Sequence, residues 1–237
     1  MVSSLHADAA KRLLQARATG PAFASTEDLA LRAQLSQQDL QALAAADALA
    51  SLSGHRRQQM WDAAAQHAAP PLWRDVPVHE APLQLPEAPE GEEILFDYAA
   101  TGLTLRRHPL ALLRPRLARW RLQTALQLHN AAHGRKVRAC GIVTVRQRPG
   151  TAKGTMFVTL EDETGPVNVI VWPAMVDVWR NALLRSQLLA VEGVWQCSPG
   201  ALGSKAMVRH LVAQRFKDLT PLLGRMAQAL QGSRDFH

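Results

Sequence analysis

The 237-residue sequence has only two cysteines, Cys140 and Cys197, and aromatic residues make up only 5% of it. Two thiols cannot build a disulfide framework or a four-cysteine zinc site. Both read as ordinary buried or loop thiols. No run approaches the roughly 18 apolar residues that a membrane span requires. The opening Met-Val-Ser-Ser-Leu-His-Ala-Asp also lacks the basic start and apolar stretch of a secretory signal. These absences exclude secreted, disulfide-stapled and membrane-spanning classes, and make the cytoplasm the expected compartment. Catalytic patterns are equally scarce. No glycine loop is followed by Lys-Ser or Lys-Thr to cradle a phosphate. His129 and His133 lack a third ligand nearby and read as flanking a helix end. Glu161, Asp162 and Glu163 sit at a strand-to-turn junction before Gly165, where a solvated turn explains them better than a two-metal site. No catalytic residue, metal site or cofactor is expected in this chain.

What is present is charge, unevenly placed. The net charge is +7, with a pI of about 10.2, which favours a polyanionic partner. Residues 75–97 hold seven acidic side chains and no Lys or Arg. Residues 99–148 hold eleven Lys and Arg and no acidic residue. A solvated surface normally mixes signs, so the second stretch reads as phosphate-facing, or more plainly as a basic helix balancing the acidic segment before it.

The chain divides by pattern. Residues 1–69 are rich in Ala, Leu and Gln and predict short helices in hairpins, broken at Gly20-Pro21, Leu35-Ser36 and Ser53-Gly54. Ser25 with Asp28, and Ser36 with Asp39, have capping-box spacing. Leu29, Leu40, Leu43, Leu49, Leu52, Met60 and Trp61 supply the apolar stripes. Arg56 and Arg57, after Gly54, are candidate phosphate contacts or simple decoration of a helix start. Residues 70–98, with six prolines, predict an acidic, solvated linker ending in an apolar docking patch at 95–98. Residues 99–134 predict a basic helical connector. Within it, residues 110–132 read as a helix interrupted near Pro115, with Leu112, Leu113, Leu117, Trp120 and Leu126 on its apolar side.

From residue 135 to 217 the pattern is one of strands, at 137–147, 155–160, 167–172, 188–196 and 205–216. A helical stretch opened by Pro173 lies between the third and fourth. That order predicts a five-stranded OB-type barrel, with Gly141 at a bulge or barrel corner. Residues 218–237 form a short C-terminal tail. Its Leu222, Leu223, Met226 and Leu230 suit a helix for a protein partner. The fold class is therefore α+β and multi-domain. An OB barrel grips single strands on its second and third strands. If the valines of those strands face inward, Phe157, Thr159, Asn168 and Ile170 face outward. Phe157 is then a base-stacking platform or, alternatively, a core residue. Asn168 is a candidate for a base edge. Arg146, Arg148, Lys153, Lys205 and Arg209 are candidates for the phosphate rim, with Arg135 and Lys136 as further phosphate contacts. Trp172, Trp179 and Trp195 read as packing residues.

The 29 residues from Val137 to Gly165 closely resemble the C-terminal OB region of bacterial error-prone C-family DNA polymerases. Residues 45–61 with Arg56-Arg57, residues 97–110 with Gly102-Leu103 and His108-Pro109, and the terminus Ser233-Arg234-Asp235-Phe236-His237 are similar to the same family. The resemblance implies a helix-hairpin-helix region followed by an OB domain, as part of a longer protein whose palm and phosphoesterase-like domain are not in this chain. It implies a non-catalytic role in holding single-stranded template DNA during translesion synthesis and damage-induced mutagenesis, in a parent enzyme using magnesium. The implied partners are DNA, the proteins of a mutagenesis cassette and the sliding clamp, for which Glu93-Ile94-Leu95-Phe96 has a faint peptide likeness. Phe157-x-x-Leu160-x-Asp162 with Gly165-x-x-Asn168 also looks like anticodon-binding OB domains, where the aromatic and the amide touch bases. A protein-docking module and a stand-alone single-strand-binding OB protein are the alternative readings.

Overall fold

The computed structural model describes residues 2–65, 83–199 and 207–228. They fall into two compact units, the first ending at Arg106 and the second beginning at Arg107. No helix among the described residues is long and apolar enough to cross a membrane.

The first unit is helical: α1 (Ala7–Thr19), α2 (Thr26–Ala33), α3 (Gln37–Ala45), α4 (Ala50–Ser53), α5 (Arg56–Ala65) and α6 (Glu90–Thr101). Both expected caps form. The Ser25 hydroxyl accepts from the Asp28 amide at 3.0 Å, and Ser36 with Asp39 makes a reciprocal capping box. Leu29, Ala33, Leu40, Leu43, Ala44, Leu49 and Ala63 form the core. Met60 and Trp61 do not join it. They are 39% and 51% exposed, because α5 turns Gln59 and Ala63 inward instead. Gln59 is fully buried and satisfied, donating to Asp47 and to the Gly54 carbonyl and accepting from the Leu49 amide.

The expected linker at 70–98 is helical in its last part, since α6 begins at Glu90. Pro89 is the N-cap rather than a breaker, and Glu90, Glu92 and Glu93 occupy the first turn, where acidic groups complement the helix dipole. Ile94 is fully buried on this helix, so Glu93–Phe96 is part of the packed unit and not a free clamp-binding peptide. Residues 66–82 lie outside the described residues.

The second unit opens with α7 (Pro109–Arg119) and α8 (Ala125–His129). The single long helix expected at 110–132 is broken at 120–124 rather than at Pro115: Arg121 adopts φ 58°, and Thr124 starts α8 with its own capping box to Gln127. Trp120 and Leu126 are 36% and 60% exposed, off the apolar side.

Then come β1 (Lys136–Gln147), β2 (Met156–Asp162), β3 (Gly165–Val171), α9 (Pro173–Val178), α10 (Arg180–Arg185), β4 (Leu188–Pro199) and β5 (Met207–Asp218). The strands close into a barrel in the order β1-β2-β3-β5-β4, the OB arrangement. Two strand glycines sit at close approaches between strands. A Cβ on Gly141 would sit 2.7 Å from Leu160 Cβ, and one on Gly193 would overlap the Val212 carbonyl oxygen beside the bulge at Glu192/Gly193. The interior holds Val158, Leu160, Val167, Val169, Val171, Val191, Trp195 and Leu211 among others. The first part of the tail caps this barrel: Leu219 and Leu223 are buried, and Thr220 accepts from the Gln187 amide at 2.9 Å. That start of the tail is therefore packed and not free for docking. Leu230 lies outside the described residues.

Candidate nucleic-acid interface

Period-two alternation along β2 and β3 sends Val158, Leu160, Val167 and Val169 inward and their neighbours outward. Phe157 is one of those neighbours. It is 38% exposed and sits in register between Gln147 of β1 and Ile170 of β3. The next outward row runs Val145, Thr159, Asn168, with the Thr159 hydroxyl 3.3 Å from Asn168 Oδ1. Val212 of β5 pairs with Ile170 and extends the Phe157 row. Trp172, following β3, keeps the same outward parity and is 52% exposed. It is not a packing residue. Strand parity alone placed it outside, and that signal outweighs a tryptophan's general tendency to be buried. Trp179 and Trp195 do pack, the latter almost fully buried. The face thus offers two exposed rings, aliphatic side chains and one amide, the composition of a platform on which bases stack.

The cations are sorted by their partners. Arg148 and Lys153 lie in the loop joining β1 to β2, beside the Phe157 row. Lys153 takes a left-handed conformation (φ 48°) next to Gly154 (φ 86°), and both cations are exposed. Arg146 is held down: its guanidinium donates to the Leu183 carbonyl at 2.6 Å and to the Ser186 carbonyl. It braces the α10–β4 turn rather than the rim. Arg209 of β5 stands opposite Cys197 of β4 and is half-buried. Arg135 and Lys136 are exposed at the start of β1, where Lys136 pairs with Val194, away from β2 and β3. Lys205 lies outside the described residues.

Arg56 is no phosphate contact. It is 2% exposed, donates to the Glu93 carbonyl at 2.9 Å and pairs with Asp97. Arg57 pairs with Glu92 at 2.6 Å. Arg106 binds Asp97 and, at 2.8 Å, Asp47. The acidic residues of the supposed linker neutralise these arginines, so the basic stretch at 99–148 is not uniformly phosphate-facing. Arg114 shows the same within the second unit, meeting Glu163 at 2.5 and 2.7 Å.

That contact also explains Asp162 and Glu163, which are held in the fold rather than in a solvated turn, whereas Glu161 is exposed. Asp162 is 5% exposed and accepts from the Thr164 amide and hydroxyl, and from the Gly165 and Ala125 amides. Burial pushes the Glu163 carboxyl up, but the hydrogen bonds and charge of Arg114 outweigh it and hold the group below its ordinary value of 4.5. These groups anchor the β2–β3 hairpin. Among the described residues, no group of three or more His, Cys, Asp or Glu is placed to hold a metal ion. The Cys140 thiol is pushed up to about 12 by burial, which keeps it protonated.

Residues 137–219 match the family described as OB-fold nucleic acid binding domain, and residues 1–59 match the helix-hairpin-helix motif. The chain is 53% identical over 235 residues to the error-prone DNA polymerase of Ralstonia nicotianae, covering 97% of this chain and 21% of that protein. It is 50% identical over its whole length to that of Bordetella parapertussis, of which it covers 22%. Among solved structures, asparaginyl-tRNA synthetase from Pyrococcus horikoshii aligns over 37% of this chain and 20% of its own, at 23% identity and a TM-score of 0.30. The chain spans about a fifth of the length of the curated relatives it matches.

Proposed function

We infer that the chain is a piece of an error-prone DNA polymerase, a reading supported by its identity to such proteins and by helix-hairpin-helix and OB-fold segments that fit a C-terminal region. From that premise, we propose that it is the non-catalytic, DNA-holding part of such a polymerase. In this reading the outer face of β2 and β3 grips single-stranded template near a magnesium-dependent active site elsewhere in the parent protein. The proposal places it in translesion synthesis during damage-induced mutagenesis, with cassette proteins and a sliding clamp as partners, as the family resemblance of the sequence implies.

The observation that carries the reading is the pair of exposed rings, Phe157 and Trp172, on one strand face beside Arg148 and Lys153. Rings stack on any base and cations neutralise phosphates, so the pairing suits a single strand of arbitrary sequence. The test is fluorescence anisotropy of the full chain with a labelled single-stranded oligonucleotide. Phe157→Ala and Trp172→Ala are each expected to weaken binding roughly 5- to 150-fold, the equivalent of about 1–3 kcal/mol per stacked base. Failure of the wild type to bind at low salt would overturn the proposal, as would wild-type affinity in the double variant.

A further inference from the structure

The barrel carries a second gathering of cations around one aromatic ring, on the side away from β2 and β3. β4 pairs with β1 on one flank and β5 on the other. Across these strands Arg138, Glu192 and Arg215 stand in one row, and Lys217 stands opposite Ala190 in another. The turn after α7 runs alongside: the Gln123 amide donates to the Arg138 carbonyl at 2.8 Å. That turn carries Trp120, whose ring centroid lies 5.3 Å from the Arg116 guanidinium and 5.6 Å from the Lys217 ammonium. A groove of about 170 Å³ on the same strands has Leu122, two residues on from Trp120, with Arg138, Glu192, Arg215 and Lys217 on its walls.

Four cations therefore share this face with a single carboxylate. Glu192 meets Arg138 only at 3.6 Å, with both side chains nearly half exposed, so it compensates little. Among the described residues no carboxylate pairs with Arg116, Arg215 or Lys217. Like charges gathered without carboxylates repel one another until a polyanion relieves them. The groove is smaller than the roughly 300–1,000 Å³ of a small-molecule pocket, so its occupant lies along the surface. Trp120, held by two cation–π contacts, gives that surface a fixed ridge.

We infer that the β1–β4–β5 face is a second nucleic-acid contact, binding phosphodiester backbone through Arg116, Arg138, Arg215 and Lys217. It stands on its own residues and does not need the β2–β3 face to bind. A single strand and a duplex present the same phosphate chemistry, so the test uses both. The full chain and an Arg116→Gln/Arg215→Gln/Lys217→Gln variant are titrated with each DNA across a salt series. Each lost phosphate contact lowers the log affinity–log salt slope by about 0.7 for a single strand or about 0.9 for a duplex. The variant, short of three cations, is expected to lose about 2.1 units of slope on a single strand or about 2.7 on a duplex, and the DNA form that shows the loss identifies the source of the backbone. Phe157→Ala/Trp172→Ala is expected to lower affinity with the slope kept, so the two faces fail separately. Arg116→Lys/Arg215→Lys/Lys217→Arg keeps the charge and is expected to keep the slope. Unchanged slopes in the glutamine variant on both DNA forms would overturn the inference, and so would an equal loss of slope in the charge-retaining variant.

Discussion

Asp97 sits at the centre of the helical unit's charge network, accepting from Arg56, from Arg106 and, at 2.6 Å, from the Thr104 hydroxyl. Burial alone pushes its carboxyl up, but these hydrogen bonds prevail and hold it below its ordinary 3.8. A carboxylate depressed in the fold binds fewer protons there than in the unfolded chain. Its stabilisation is complete above the unfolded value and is lost as pH falls through the lower, folded one. Asp97→Asn is therefore expected to flatten the loss of helical-unit stability below pH 4. At neutral pH it should cost roughly 3 kcal/mol, because Arg56 keeps a buried charge with its closest partner gone. Urea unfolding followed at pH 3 and pH 7 checks both, and an unchanged acid limb would dismiss the network as a stabilising device. The role of Arg56 was illegible in the sequence. Its partners arrive 37 and 41 positions later, inside a stretch whose prolines and acidic residues carry the local signature of a linker. Ion pairs of that range follow from tertiary packing, which no local pattern encodes.

Strands were far more legible than helices. All five appeared with their order and with the Pro173 helix between the third and fourth, because alternation and turn residues are local signals. The same parity rule exposed Phe157 and Asn168, and it applied equally to Trp172. Helix α6 was missed because Pro89 reads as a breaker, although proline is also tolerated where a helix begins. Gly141 stands where β1 comes close to Leu160, while the register shift of that strand lies at Val143/Val145 and not at the glycine itself. Gly193 makes the tighter approach. Its missing Cβ lets β4 lie against the Val212 carbonyl at the bulge, with neither strand free to shift inside a closed barrel. Gly193→Ala is expected to destabilise the barrel by about 3 kcal/mol, the upper range for overpacking. The midpoint of the barrel's denaturant transition should fall accordingly. A midpoint within error of the wild type would mean that β4 and β5 can separate at the bulge without loss.

At the scale of the whole chain, charge separates by unit more sharply than the sequence suggested. Residues 1–106 carry 8 Lys and Arg against 13 Asp and Glu, a net of −5. Residues 107–231 carry 18 against 6, a net of +12. The sequence showed the neighbouring acidic and basic stretches but not this division, because the basic stretch crosses the boundary at Arg106. Five of the helical unit's described arginines are also engaged with its own acceptors, while Arg17 is exposed. Arg12 donates to the Ala33 and Gln34 carbonyls, Arg32 to Ala16, Pro21 and Asp28, and Arg56, Arg57 and Arg106 meet the carboxylates of α6. Its hairpin amides are taken up by the Ser25 and Ser36 caps. A net negative unit with most of its described arginines occupied and capped helix starts has little to offer a phosphate. The barrel unit has its own core and its own cations. A chain beginning at Arg107 is accordingly expected to bind a single-stranded oligonucleotide at least as tightly as the full chain. The gain should be largest at low salt, where repulsion by the acidic unit is least screened. Anisotropy titrations of the two chains in parallel measure this. A loss of tenfold or more on removing residues 1–106 would instead place phosphate contacts on the helix-hairpin-helix segment, which would have to release arginines from their present partners to make them.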